Sequence, residues 1–69
     1  LGDYPKAIEY QERTLKIAQE IKDREGEGAA LGNLGLAYDS LGDYPKAIEF
    51  HERTLKIAQE IKDREGEGA

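Results

Sequence analysis

The sequence contains no cysteine, which removes any disulfide framework, thiolate metal site or cysteine nucleophile. It also lacks an apolar run near the ~20 residues of a membrane-spanning helix. No signal-peptide pattern opens it, so the cytoplasm is the default expectation. A basic excess is missing as well. Fifteen acidic side chains against ten basic ones leave a net charge of −5, with the two signs interspersed. Phosphate recognition calls for a basic stripe, so nucleic acid is not an expected partner, and neither is a membrane. The single histidine, His51, has no second histidine or cysteine in register and is expected to pack rather than to bind metal or act as a base. Gly26-Glu27-Gly28 lacks the strand, lysine and further glycines of a phosphate loop. No nucleophile, base and orienting group can be assembled. The reading is therefore non-catalytic, with no cofactor and no metal.

What is present is a repeat. Residues 1–29 and 41–69 are identical at 27 of 29 positions, differing only at Tyr10 against Phe50 and Gln11 against His51. The offset is 40 residues, within the ~20–50 residue periods of stacked supersecondary units. Such near identity marks recent duplication, consensus design or a piece of a uniform array. The sequence opens without methionine and in mid-unit, and the expectation is a slice of a longer array.

Within one unit the segment from Tyr44 to Lys62 reads as a helix. Ala47, Ile48, His51, Thr54, Leu55, Ala58 and Ile61 recur at intervals of three and four, and Phe50 and Ile57 widen that stripe. So broad an apolar arc implies neighbours on two sides. Glu49–Arg53 and Glu52–Lys56 are i,i+4 pairs, each stabilising a helix by about 0.2–0.5 kcal/mol. Asp43 is the expected N-cap, accepting from the Lys46 amide, because Pro45 in the first turn has no N–H to offer. The first copy repeats this from Tyr4 to Lys22. A different helix lies between, with Ala30, Leu31, Leu34, Ala37, Tyr38 and Leu41 as its stripe and Gly42 as its stop. Its start is open to two readings. Asp23 caps a helix beginning at Arg24, or a loop spans 23–28, since Gly26 and Gly28 each cost about 1 kcal/mol inside a helix. The longer helix is favoured because it leaves short connections. The expected helices are thus 4–22, 24–41 and 44–62, with 63–69 as the start of a missing helix. Tyr4, Tyr38 and Tyr44 are read as packing between helices.

Leu34-Gly35-x-x-Tyr38, Gly42-Asp43-Tyr44 and Lys46-Ala47-Ile48-Glu49 together resemble the tetratricopeptide repeat. In that family a first helix A and a second helix B pack closely through small residues, and Gly35 and Ala47 fill those places here. Leu31 stands where tryptophan is frequent. His51 or Gln11 replaces an aromatic, and Thr54 or Thr14 a second alanine. The 40-residue period is similar to the Leu-Gly-Asn subclass. The resemblance implies an all-α fold in which antiparallel helix hairpins stack as an α-solenoid, here with three helices in B-A-B order.

It also implies a concave groove lined by one face of the A helix, carried here by Ala29, Gly32, Asn33, Leu36, Asp39 and Ser40. Their spacing of three and four separately places them on one face. Asn33 is singled out, because an amide both donates and accepts and so pairs with the backbone of an extended peptide. Gly32, Asn33 and Leu36 occupy the positions of the basic carboxylate clamp, so a terminal-carboxylate ligand is not implied. The expected function is a scaffold that binds a protein or peptide on this face. The alternative is a self-assembling repeat that forms a homo-oligomer through its exposed end helices.

Overall fold

The computed structural model describes residues 3–68, with side chains as far as Arg64. Three helices follow in order: α1 Tyr4–Glu20, α2 Arg24–Leu41 and α3 Tyr44–Gly68. α1 and α3 both pack on α2 and not on each other. The result is an all-α helical-repeat fold with α2 in the middle.

Each helix starts at an aspartate whose side chain takes up an orphan amide. Asp3 accepts from the Lys6 N–H at 3.2 Å, Asp23 from Gly26 at 3.0 Å and Asp43 from Lys46 at 3.4 Å. Gly26 and Gly28 lie inside α2, which begins at Arg24. Glu25 and Glu27 in its first turn add favourable charge at the positive end of the helix dipole.

Both turns close by the same pair of backbone bonds. After α2, the Gly42 N–H donates to the Asp39 carbonyl and the Asp43 N–H to that of Tyr38. After α1, the Lys22 N–H donates to Gln19 and the Asp23 N–H to Ala18. Such a closure places one residue in the left-handed region. Gly42 does so freely at φ 81°. Lys22, at φ 60°, is the only non-glycine with positive φ among the described residues, at a cost of roughly 1–2 kcal/mol. Because Ile21 and Lys22 are used in closing the turn, α1 stops at Glu20, short of the expected end at Lys22.

The core centres on α2, where Leu31 and Leu34 are fully buried with Ala30 and Ala37 beside them. Burying a leucine side chain is worth about 1.5–3 kcal/mol, so these two dominate so small a core. The flanking helices use different faces of nearly the same sequence. α1 turns Ile8, Gln11, Leu15 and Ala18 toward α2, whereas α3 turns Ala47, Phe50, Ile57 and Ile61. The counterparts stay in solvent: Tyr10, Ile17 and Ile21 on α1, and Ile48, Leu55 and Ala58 on α3. The broad stripe is therefore half used on each flanking helix, since each has one neighbour. Tyr4, Tyr44 and Leu41 are exposed too, against the packing expected of them.

α3 continues to Gly68, past the expected end at Lys62. The segment 63–68, expected to open a further helix, is part of α3. Among the described residues no helix folds back on Ile48, Leu55 and Ala58. Continued intrahelical bonding then satisfies its backbone without a turn.

Candidate functional site

Being flanked on two sides, α2 keeps one open strip. Ala29, Asn33, Leu36 and Ser40 are spaced at four, three and four residues and all are exposed. Leu36 is 60% exposed, an apolar side chain next to the Asn33 amide. The strip thus offers donor, acceptor and apolar contact on one rigid helix. The other two members of the expected set lie toward α3. A β-carbon on Gly32 would touch Thr54 at 3.7 Å, and the Asp39 carboxylate lies 3.0 Å from His51 Nε2.

That second row, Gly28, Gly32, Gly35 and Asp39, is the seam with α3. Added β-carbons on Gly28 and Gly35 would lie 3.3 Å from Ile57 Cγ2 and 2.6 Å from His51 Cε1. Absent side chains on α2 are thus what let α3 come close. At its upper end Tyr38 stacks on Phe50, with ring centroids 5.5 Å apart and planes within 3°. Lys46 Nζ lies 5.2 Å from the Tyr38 ring centroid. Arg53 is placed over Phe50 at 5.6 Å, whereas its counterpart Arg13 pairs with Glu9 at 3.2 Å. His51 is half exposed and joins the seam through both Gly35 and Asp39.

The lower end holds a polar network that links all three helices. Glu27 is buried on α2, where it accepts from Arg24 Nη1 at 2.8 Å and from Gln19 Nε2 of α1 at 3.4 Å. The other guanidinium nitrogen of Arg24 donates to Glu60 of α3. That hydrogen bond holds the Glu60 carboxyl below the usual carboxylate range and raises Arg24. A cleft of about 330 Å³ opens beside it, lined by Lys22, Asp23, Glu25, Ile61 and Arg64 as well as this pair. The network has little signature in the sequence. Gln19, Arg24, Glu27 and Glu60 read as surface residues, and only the turns at 21–23 and 42–43 bring them together.

No group of three or more histidine, cysteine or acidic side chains is placed to hold a metal among the described residues. Nor is any helix there long and apolar enough to cross a membrane. No curated protein matches the sequence. The tetratricopeptide repeat family model matches residues 1–60. With that match over most of the chain, and helices flanking a glycine-seamed α2, the protein belongs to the tetratricopeptide repeat family.

Proposed function

We propose that the chain is a non-catalytic, protein-interaction module that reads an extended peptide along the open strip of α2. The observation carrying this is the row Ala29, Asn33, Leu36 and Ser40, exposed on the one helix held from both sides. Asn33 would bond the peptide backbone, donating and accepting at once, and Leu36 would contact an apolar side chain. Membership of the Leu-Gly-Asn subclass is part of this reading, supported by the 40-residue offset and by Leu31-Gly32-Asn33 itself. The test is selection from a displayed random-peptide library, followed by titration of a selected peptide into isotope-labelled protein. Amide shifts clustered at Ala29, Asn33, Leu36 and Ser40, with affinity falling about tenfold in Asn33→Leu, are expected. Shifts confined to α1 or α3 would reject the site.

A second reading, self-association through the outer helices, has its own observation. Tyr10, Ile17 and Ile21 on α1 are between 57% and 68% exposed, and Ile48 and Leu55 on α3 are 57% and 59% exposed. Light scattering across a wide concentration range tests it, and a chain that stays monomeric throughout rejects it.

A further inference from the structure

Charge is sorted between the two sides of α2. The open strip extends one turn before Ala29 to Glu25, which is exposed and enters no ion pair among the described residues. Asp39 borders the other end. Its Oδ2 faces His51 Nε2 at 3.0 Å, and its Oδ1 has no hydrogen bond among the described residues. Midway between the two carboxylates Gly32 presents bare backbone beside Thr54. No basic residue lies on the strip, since α2 has none from Glu25 to Leu41. Its one cation, Arg24, falls on the opposite side of the helix and is held there by Glu27 and Glu60. Lys46 and Arg53 of α3 sit over Tyr38 and Phe50, on that same opposite side. Lys56 lines a cleft there with Arg24, Glu27 and Leu31. Lys22 and Arg64 border the cleft beside Glu25, yet neither pairs with it.

We infer that the ligand of this strip is a basic peptide, an assignment that rests on the strip being a peptide groove. Two lysine or arginine side chains six residues apart meet Glu25 and Asp39, and an apolar side chain between them meets Leu36. The spacing follows from the helix. Glu25 and Asp39 are separated by 14 residues, about 21 Å along the axis at about 1.5 Å per residue. An extended peptide rises about 3.3 Å per residue, so six residues cover that span. Residues six apart in an extended chain also point to the same side, toward α2. Leu36 lies one turn short of Asp39, which gives it the peptide residue two before the second cation. Read from the Glu25 end, the pattern is basic-x-x-x-apolar-x-basic. An acidic peptide meets two carboxylates and no cation along the row, so it is selected against.

Selection from a displayed random-peptide library, with titration of the enriched peptides into isotope-labelled protein, tests this. Peptides with two basic residues six apart and the apolar residue between are expected, and their binding should weaken as salt rises. Glu25→Gln and Asp39→Asn should each raise the dissociation constant about threefold, as for one exposed ion pair. Asp39 also holds His51, so the deciding variant is Glu25→Lys, at an exposed position. It reverses the charge and should weaken the enriched peptide about tenfold. Glutamate in place of the matching peptide cation should then restore binding. Acidic or uncharged peptides that shift the Ala29, Asn33, Leu36 and Ser40 amides would overturn the basic ligand and leave the groove standing. A Glu25→Lys chain that binds the basic peptide unchanged would do the same. Peptides that bind without shifting those amides would overturn the groove, and the basic ligand with it.

Discussion

The ring of His51 fills the space that a side chain on Gly35 would need. A β-carbon there would lie 2.6 Å from Cε1 and 2.8 Å from Nδ1. The same imidazole is held at 3.0 Å from Asp39 by Nε2, so it cannot move aside without giving up that contact. Gly35→Ala should therefore have a sign that depends on residue 51. Against His51, the gain of about 1 kcal/mol from replacing a helical glycine is cancelled or reversed by the displaced ring. Against His51→Ala it should appear in full. Melting of the four proteins of this cycle checks it, and equal gains in both backgrounds would contradict the close approach.

Position 50 and its counterpart, position 10, should respond unequally to the same substitution. Phe50 is partly buried and stacked on Tyr38, while Tyr10 is 67% exposed. Phe50→Ala is expected to cost about 2 kcal/mol, below the ~3–5 of a fully buried ring. Tyr10→Ala should stay within about 0.5 kcal/mol. Chemical denaturation measures both, and comparable losses would mean that α1 uses its outer face.

Arg24 is expected to matter more than an ordinary surface arginine. Removing it in Arg24→Met leaves the buried Glu27 carboxylate with the Gln19 amide alone, and the melting temperature should fall. Adding Glu27→Gln should recover part of this, because a neutral amide is less costly to bury unpaired. No recovery in the double variant would show that the loss comes from Glu60.

Acid should weaken the fold partly through Glu60. Its folded value is lowered by the Arg24 hydrogen bond, from an ordinary 4.5. The unfolded chain therefore takes up the proton first as pH falls. The stabilisation is complete above that ordinary value and is lost as pH drops through the lowered one. Melting between pH 6 and pH 3 should fall less steeply in Glu60→Gln than in the parent. Since the pair is exposed, added salt should shrink the difference.

Much of the architecture was legible because it depends on local chemistry. The aspartate caps, the prolines behind two of them and the glycine at position 42 mark helix ends whatever lies nearby. The stripe Ala30, Leu31, Leu34 and Ala37 was likewise readable, since α2 has neighbours on both sides and buries what its periodicity presents. The face Ala29, Gly32, Asn33, Leu36, Asp39 and Ser40 came from the family resemblance, and of these Gly32 and Asp39 lie toward α3. The rest was not readable for one reason: the two copies carry nearly one sequence in two environments. Nothing in the letters says that Ile17 stays wet while Ile57 is buried.

By itself the sequence determined the period, the three helices and their capping chemistry. Tertiary structure decided which half of each apolar arc is covered, that Glu27 is buried, and that Glu20–Arg24 bends where Glu60–Arg64 runs straight. Helix formation is governed by bonds within a few residues, so the sequence encodes it directly. Burial and turning depend on which helix lies alongside, and identical residues take different answers when their neighbours differ.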